Sequence, residues 1–356
     1  MATLGLTTYR LNNNIKSTVL LIVFPVLLLT LMGVIFFMFG LAGASKGFFY
    51  SFDLQPVLGT GSPIDLALSA IYAWWPIMFG IAAVWVLIGY FFNDWIIHRA
   101  TGAEPVTRAE QPELYNLLAN LCIARGLKAP KLYLVDTDAM NAYASGIDDK
   151  SYAITVTSGL LMRLNRDELE AVLAHELTHI IEGDTRLLVV TIVFVGMISF
   201  LTQMLWRSMR VVSFSRMRGR SGGVTLLFML IAAIAFAIGY LLALILRFAI
   251  SRRREYQADA GSVDLTKNPD ALIRALLKIA DNPDVPHVPS EVRQMFIENP
   301  PSRLDLAGLF ATHPPIAKRI AVLEQLGGDV PAAAAQSIEA SPSPAATLPS
   351  WKSPWQ

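Results

Sequence analysis

Leu169–Asp184 reads LEAVLAHELTHIIEGD, and its centre carries a His-Glu-x-x-His motif made of His175, Glu176 and His179. The surrounding apolar residues recur at helical spacing, which predicts a helix. Residues four apart lie on one face of a helix, so both imidazoles can reach a single metal ion. A carboxylate beside them can take the proton of a bound water, whose pKa zinc lowers to about 7. The motif therefore favours a zinc hydrolase, and among hydrolases a peptidase, over a helix that carries two incidental histidines.

The composition of the 356-residue chain is that of a membrane protein. Hydrophobic residues make up 54% of the chain and charged residues only 16%, against about 25% charged residues in a typical soluble protein. The formal net charge of +1 gives no support to nucleic-acid binding. Cys122 is the single cysteine, which excludes a disulfide within the chain and a zinc site built on a Cys-x-x-Cys pair.

Four uncharged stretches are long enough to cross a bilayer. They occupy residues 17–45, 66–93, 187–206 and 224–246. The first is far longer than the apolar region of a signal peptide, so we predict a retained transmembrane helix rather than a cleaved leader. The last two form a hairpin around a loop with five arginines, and a spanning hairpin places this charge outside, against the positive-inside rule. We favour a spanning hairpin, with a hairpin that does not fully cross as the alternative.

Charges around the apolar stretches predict the orientation of the chain. Arg10 and Lys16 precede the first stretch, which places the N-terminal segment, residues 1–16, in the cytoplasm. Two crossings then return the chain to the cytoplasm, and the hairpin brings its end back to that same side. We therefore predict a multi-pass protein of a bacterial-type cytoplasmic (inner) membrane, with both parts of a catalytic domain facing the cytoplasm.

The two parts of this catalytic domain are residues 94–186 and 251–328. Within the first part, residues 130–135 and 152–157 alternate and are rich in strand-forming residues, so we predict two strands before the metal-binding helix. Residues 329–356 form a tail rich in Ala, Ser and Pro, which we predict to be disordered. The predicted fold is a mainly α membrane protein, with four hydrophobic helices and a zincin-like α+β catalytic domain that contains a small β-sheet.

A catalytic zinc takes three protein ligands and a water, and two histidines with a glutamate are a standard set. Glu255 is the leading candidate for the third ligand, because it opens a soluble helix directly after the returning hairpin. Asp259 follows by four residues on the same face, where it can accept the other ring N–H of a histidine ligand. The alternatives are that Glu255 balances the arginines at 252–254 and that Asp259 is an ordinary helix charge.

Four short segments contain these candidate site residues together with Asn141 and His313. They are HELTH at 175–179, SRRREYQADA at 251–260, NAYASG at 141–146 and ATHPPIAKRI at 311–320. Together they resemble the HtpX family of membrane zinc metalloproteases, which are relatives of the type I CAAX prenyl proteases. The resemblance implies one zinc ion per chain, held by His175, His179 and Glu255. It also implies Glu176 as the catalytic acid/base and Asp259 as the hydrogen-bond partner of a histidine ligand.

The function that the resemblance implies is that of a gluzincin-like zinc metalloendopeptidase. It would cleave membrane proteins on the cytoplasmic side, in protein quality control or the stress response, with membrane-protein or peptide substrates and the lipid bilayer as partners. Two alternatives stay open: a CAAX-type prenyl protease, which generally carries more spans than the four visible here, and a membrane scaffold whose site no longer turns over. The intact Glu176 argues against the scaffold, and spans without charged residues argue against a transporter.

Two further residues and one strand receive predicted roles. By the resemblance, Asn141 lies near the cleft and donates a hydrogen bond to the substrate backbone or the oxyanion; the alternative is a turn residue. His313 lies on a loop that two prolines stiffen, where it can stabilise the oxyanion or cover the metal, with a structural hydrogen bond as the alternative. The 152–157 strand is predicted to have a free edge, along which an extended peptide binds by strand addition.

Overall fold

We describe a computed structural model of the protein. The described residues are 53–193, 253–286, 288–293, 295–298 and 313–329, with scattered positions between 11 and 41 and the single positions 207 and 233. The predictions for the hairpin beyond residue 193, for its arginine-rich loop and for the tail beyond residue 329 lie outside the described residues, apart from these single positions.

The chain divides into two compact units. The first comprises Met1–Ile97, Gly146–Asp148 and Glu182–Ile250, and the second comprises His98–Ser145, Asp149–Ile181 and Ser251–Gln356. Each unit is therefore assembled from separate stretches of sequence.

The helix α1 (Pro63–Thr101) provides most of the described part of the first unit. Within the described residues it is the one helix long and apolar enough to cross a membrane. Its 39 residues extend about 58 Å at about 1.5 Å per residue, nearly twice the ~30 Å hydrocarbon core of a bilayer. Large side chains such as Tyr72, Phe91 and Trp95 are exposed along it, as a helix surrounded by lipid requires.

This helix corresponds to the predicted span 66–93 and is longer than predicted. The prediction ended where the apolar run ends, but the polar residues that follow do not interrupt backbone hydrogen bonding. The helix stops only at Gly102, whose φ of 71° is left-handed. For the first predicted span, the described positions include a shorter apolar helix, Leu29–Met38. The described residues thus contain one membrane-length helix where the sequence predicted four.

Residues 184–193 form a second helix of this unit, packed against α1. Gly89 permits the close approach, because a Cβ at this position would lie 2.7 Å from a methyl group of Val193. At the other end, the amide of Asn13 donates a hydrogen bond of 2.8 Å to the carboxylate of Asp184. Both contacts hold the chain that directly follows the predicted metal-binding helix.

The second unit is built on a four-stranded mixed sheet with the strand order β1-β2-β4-β3. The strands are β1 (Glu104–Pro105), β2 (Lys131–Val135), β3 (Ala142–Ser145) and β4 (Ala153–Thr157). β2 and β4 run parallel, and the other neighbouring pairs are antiparallel. The predicted strands 130–135 and 152–157 are confirmed as β2 and β4, each one residue shorter at its start.

The free edge predicted for the 152–157 strand is wrong. β4 pairs with β2 on one side and with β3 on the other, so its backbone groups are already used. All five of its residues are also buried. Among the described residues, the edge on this side of the sheet belongs to β3, which precedes β4 in the chain and folds back beside it.

Helices cover this sheet and complete the core. They are α2 (Pro112–Arg125), α3 (Ser158–Arg163), α4 (Arg166–Glu182), α5 (Arg253–Thr266), α6 (Pro269–Asp281), α7 (Ser290–Arg293) and α8 (Ile316–Gln325). Buried side chains from α2, α4 and α6 meet those of β2 and β4 in one cluster, which includes Leu118, Leu132, Ile154, Val172 and Leu276. α4, which carries the motif, is thus enclosed by the core of the unit.

The start of α4 is fixed by a reciprocal capping box. The side chain of Asn165 accepts the N–H of Glu168, and the carboxylate of Glu168 accepts the N–H of Asn165, both at 2.9 Å. Glu168 is buried, and its charge is paired with Lys278 at 2.7 Å and Arg274 at 3.5 Å, both on α6. At the other end, Gly183 adopts a left-handed φ of 75° and terminates the helix.

A small residue brings α5 close to α4. A Cβ at Gly261 would overlap the side chain of Thr178, so glycine is needed at this crossing. One residue on, the hydroxyl of Ser262 donates a hydrogen bond of 2.7 Å to the carbonyl of Ala171. The close crossing lets short side chains at the start of α5 reach the two histidines of α4.

Candidate active site

α4 and α5 place three potential metal ligands around one point. His175 and His179 lie on consecutive turns of α4, and Glu255 lies in the first turn of α5. One ligand atom from each residue falls within 4.8 Å of the others, and all three side chains are buried. The structure therefore brings together the three residues that the sequence singled out as metal ligands.

The distances among these atoms fit a tetrahedral metal site. The Nε2 atoms of His175 and His179 are 3.3 Å apart. Oxygens of Glu255 lie 3.7 Å from the first of these nitrogens and 3.9 Å from the second. Two ligands that are each about 2.1 Å from a zinc ion, at the tetrahedral angle, are about 3.4 Å apart. The residues present thus fit a zinc ion with only small side-chain shifts.

Asp259 fixes the orientation of one imidazole. Its Oδ1 atom lies 3.0 Å from Nδ1 of His175. Because Nδ1 carries the proton in this hydrogen bond, Nε2 keeps its lone pair for a metal. Burial alone would raise the pKa of Asp259, but the guanidinium of Arg319 and the hydrogen bond from His175 hold it below its usual value. Asp259 therefore stays ionised and accepts the imidazole N–H.

The protonation states of the ligands suit metal binding. Burial lowers the pKa of His175 to about 4, so its ring is neutral at pH 7. Burial would raise the pKa of Glu255, but its contacts with His313, His179 and Arg254 hold it well below its usual value. One of these neighbours is Arg254, whose Nε donates to Glu255 at 3.1 Å. A neutral imidazole and an ionised carboxylate are the forms that bind a metal.

Glu176 lies beside the ligands, one residue after His175 on α4. Its carboxylate is buried, and among the described residues neither oxygen has a hydrogen-bond partner of normal geometry. Burial raises the pKa of Glu176 to about 7; the charge of His179 opposes this rise and that of Glu255 adds to it. A carboxylate with a pKa near 7 is matched to accepting a proton and returning it at neutral pH.

The two other predicted site residues are His313, which lies at the ligand cluster, and Asn141, whose side chain binds backbone carbonyls of a neighbouring loop. Nδ1 of His313 is 3.3 Å from an oxygen of Glu255. The side-chain amide of Asn141 donates to the carbonyls of Pro283 at 2.7 Å and Glu298 at 2.8 Å. Since both donors of Asn141 are used within the protein, its geometry matches the structural alternative and a substrate hydrogen bond would require one of them to break.

Two residues near the cluster received no predicted role: Arg319 and Glu298. Arg254 was named only in the alternative for Glu255, and it does pair with that carboxylate at 3.1 Å. Arg319 is fully buried on α8, next to the buried Ile320. An arginine on the apolar face of an amphipathic helix was the available signal, because a buried charge of this kind has to be paired. Glu298 lies in a loop, where sequence patterns carry no such signal.

Comparison with known proteins places these elements in a family. Peptidase family M48 matches residues 108–326. The chain is 43% identical over 331 residues to the protease HtpX homolog of Bacteroides fragilis strain YCH46, which covers 91% of this chain and 100% of that protein. It is 34% identical over 252 residues to the protease HtpX homolog of Streptococcus thermophilus, which covers 69% of this chain and 84% of that protein.

A solved structure is also similar. It is the crystal structure of S. mikatae Ste24p, with a TM-score of 0.44 and 21% sequence identity over 70% of this chain and 58% of that chain.

The family match includes α4, α5 and α8, and so contains every helix that contributes to the ligand cluster. The Bacteroides fragilis relative extends the similarity along the full length of that protein. This chain belongs to peptidase family M48 and is a membrane metalloprotease of the HtpX type.

Proposed function

We propose that this protein is a zinc-dependent endopeptidase in which His175, His179 and Glu255 hold one zinc ion. The observation that carries the proposal is the convergence of the three side chains: the two Nε2 atoms are 3.3 Å apart, and one ligand atom from each of the three residues lies within 4.8 Å of the others. Two imidazoles and one carboxylate in a near-tetrahedral arrangement suit zinc, and a catalytic zinc site leaves the fourth position to water or substrate. When bound, zinc would polarise the scissile carbonyl and acidify a water molecule.

The catalytic acid/base in this proposal is Glu176. Its carboxylate is buried next to the ligands, and within the part of the chain that the structure describes neither oxygen has a hydrogen-bond partner of normal geometry. It takes the proton of the attacking water and then donates that proton to the nitrogen of the leaving amine. Low solvent exposure makes the carboxylate a stronger base for the first transfer, because bulk water does not stabilise its charged form.

The substrate is proposed to bind along β3 rather than β4. The carbonyl of Ala142 points away from β4, since it accepts the N–H of Ile297 at 2.9 Å. Backbone groups alternate along a strand, so the N–H and carbonyl of Ala144 point the same way. The N–H of Ala144 also lies near the carboxylate of Glu176 and lowers the pKa of that carboxyl group, against the rise that burial causes. A peptide paired with Ala144 would therefore pass beside the proposed acid/base.

Cleavage of membrane proteins on the cytoplasmic side is the proposed cellular activity, with a role in protein quality control or the stress response. α1 supports attachment to a membrane. The arginine and lysine before the first apolar stretch support a cytoplasmic N-terminus, and an even number of crossings before residue 94 then keeps the catalytic segments on that side. The other predicted spans, at 17–45, 187–206 and 224–246, belong to the same multi-pass proposal.

The experiment that tests the proposed function compares three forms of the full chain in detergent. Wild-type protein should contain about one zinc ion per chain and cleave an unfolded membrane-protein substrate. Glu176→Gln should keep the zinc and lose cleavage, because it removes the proton acceptor but no ligand. Glu170→Gln, a change of the same type on the same helix, should keep both. Retained cleavage in Glu176→Gln, or wild-type protein without zinc, would refute the assignment; faster cleavage of a prenylated peptide would favour the CAAX-type alternative.

A further inference from the structure

Arg319 is a buried cation whose contacts link three parts of the second unit. The side chain is 0% exposed and lies on α8. Its Nη2 atom donates to Oδ1 of Asp259 at 2.6 Å, and its Nε atom donates to Oδ2 of the same carboxylate at 2.9 Å. Its Nη1 atom donates to the carbonyl of Ile297 at 3.0 Å. The guanidinium is therefore held in one plane by three hydrogen bonds.

The carboxylate of Asp259 is fixed by this arrangement. One oxygen receives hydrogen bonds from Arg319 and from His175, and the other oxygen receives a hydrogen bond from Arg319. A carboxylate held by a single partner can rotate about its χ2 angle. Because the planar guanidinium holds both oxygens, the carboxylate of Asp259 cannot rotate. The imidazole of His175, which donates to this carboxylate, is therefore held in one orientation as well.

We propose that Arg319 is a positioning residue for the metal site: by holding both oxygens of Asp259, it fixes the ring of His175 with Nε2 directed at the metal. The inference rests on the proposed function, since it assigns Arg319 a role toward the same zinc ion. Nη2 of Arg319 also lies 3.4 Å from Nδ1 and 3.5 Å from Nε2 of His175, and Nη1 lies 3.9 Å from an oxygen of Glu255. The two bonds to Asp259 are shorter, so we assign the effect of Arg319 on the ring to Asp259.

Lysine cannot replace this arginine. An ammonium group is a compact charge on a flexible stem, whereas the guanidinium presents several donors in a rigid fork. The three acceptors of Arg319 lie on α5 and on the 295–298 segment. Ile297 of that segment also donates to the carbonyl of Ala142 on β3. The guanidinium of Arg319 thus connects Asp259, the partner of His175, with the 295–298 segment, which in turn contacts β3.

The test measures metal binding and needs no proteolysis. All variants carry Glu176→Gln, so that no cleavage occurs, and are purified as full chains in detergent. Zinc affinity is measured by competition with a chromophoric chelator, and the absorption spectrum of the cobalt(II)-loaded protein reports the ligand geometry. Arg319→Lys and Arg319→Met are compared with Arg274→Met, which removes an arginine that pairs with the opposite end of α4.

Arg319→Met and Arg319→Lys should each lower zinc affinity by about 10- to 100-fold, the range found when the partner of a metal-binding histidine is removed. Both should change the cobalt spectrum, and Arg274→Met should change neither reading. In an Asp259→Asn background, Arg319→Met should lower the affinity by no more than about 3-fold, because the route to His175 is already lost. This dependence separates positioning from a general loss of stability.

Zinc affinity within about 2-fold of the parent for both Arg319 variants, with an unchanged cobalt spectrum, would overturn the inference. A loss that is as large in the Asp259→Asn background would also overturn it, because Arg319 would then act by another route. If Arg319→Met does not fold, the lysine variant, which keeps the charge, decides the question. A parent protein that binds no zinc would instead refute the proposed function.

Discussion

The close crossing of α4 and α5 allows a quantitative prediction about Gly261→Ala. In the structure a Cβ at Gly261 would lie 3.0 Å from Cβ of Thr178 and 2.6 Å from its Oγ1 atom. Carbon atoms in ordinary contact are about 3.5–4.0 Å apart. The new methyl group would overlap Cγ2 of Thr178 most closely. Rotation of the Thr178 side chain can relieve its contacts with Cγ2 and Oγ1 but not the contact with Cβ, so the two helices have to separate by at least about 0.5–1 Å. Glu255 and the two histidine ligands lie on opposite sides of this crossing.

Two effects on stability oppose each other in this variant. Overpacking a tight contact costs about 1–3 kcal/mol. Alanine in place of glycine within a helix returns about 1 kcal/mol through its higher helix propensity. We expect a net loss of about 1 kcal/mol in the free energy of unfolding of the metal-free protein. We expect a larger effect on zinc, with affinity lowered at least ~10-fold, because metal sites tolerate ligand displacements of only about 0.2 Å.

The assay combines thermal unfolding in detergent, with and without zinc, and zinc competition against a chelator. The double variant Gly261→Ala/Thr178→Ala removes the two overlapping side-chain atoms beyond Cβ and should recover most of the zinc affinity. Thr178→Ala alone should bind zinc as the wild type does. Gly80→Ala is the matched control, since a Cβ at Gly80 meets no atom within 4 Å.

The reasoning would be refuted by a Gly261→Ala variant that binds zinc as tightly as the wild type. It would also be refuted if the double variant bound no better than the single one, because relief of the overlap would then have no effect on the ligands.

Three further predictions concern other parts of the second unit. Glu168→Ala removes the capping carboxylate of α4 and the partner of Lys278, so the free energy of unfolding should fall by about 1–3 kcal/mol; an unchanged melting temperature would contradict this role. Burial raises the pKa of Cys122 to about 11, so at pH 8 iodoacetamide should label this thiol only after unfolding, as mass spectrometry can check; rapid labelling of the folded protein would contradict its burial. Ala144→Pro removes the outward N–H of β3, so kcat/KM for a peptide should fall by about 10-fold or more while zinc content stays the same; unchanged cleavage would show that the peptide does not pair with β3.

Local patterns in the sequence were sufficient to predict the ligand cluster. His175 and His179 are four residues apart in a helix, so their common face follows from helical geometry alone. Glu255 and Asp259 repeat the same spacing in a second helix. What brings the two helices together is the glycine at 261, and its contact with Thr178 depends on tertiary packing. The types of residue were therefore predictable, but the distances between them were not.

Strand order could not be predicted, because it depends on contacts between distant residues. Alternation identified β4 as a strand but gave no indication that β3 and β2 flank it. β4 is an inner strand because it pairs on both sides; burial does not show this, since every residue of β3 is buried as well. The sequence of β4, AITVT, alternates and is rich in strand-forming residues, a pattern that does not distinguish an inner strand from an edge strand. The peptide-binding edge was consequently assigned to the wrong strand.

The length of α1 shows a different limit. Charged and polar residues mark where a helix leaves the lipid, and the predicted span 66–93 accordingly ended before Asp94. A helix ends where its hydrogen bonding ends, which here is at Gly102. Similarly, Arg319 stood on the apolar side of α8, and its burial follows only from the carboxylate of Asp259 opposite it. In both cases the local sequence indicates the preference of a segment, whereas its length or burial is set by contacts with other parts of the protein.

The most direct test of the central claim is X-ray absorption at the zinc edge of the purified full-length Glu176→Gln protein. The claim that His175, His179 and Glu255 hold the metal predicts nitrogen and oxygen ligands at about 2.0–2.1 Å, with the scattering pattern of two imidazoles. His179→Ala should reduce this pattern to one imidazole or remove the zinc. A zinc shell that keeps two imidazoles in His179→Ala, or a purified parent protein without zinc, would contradict the claim.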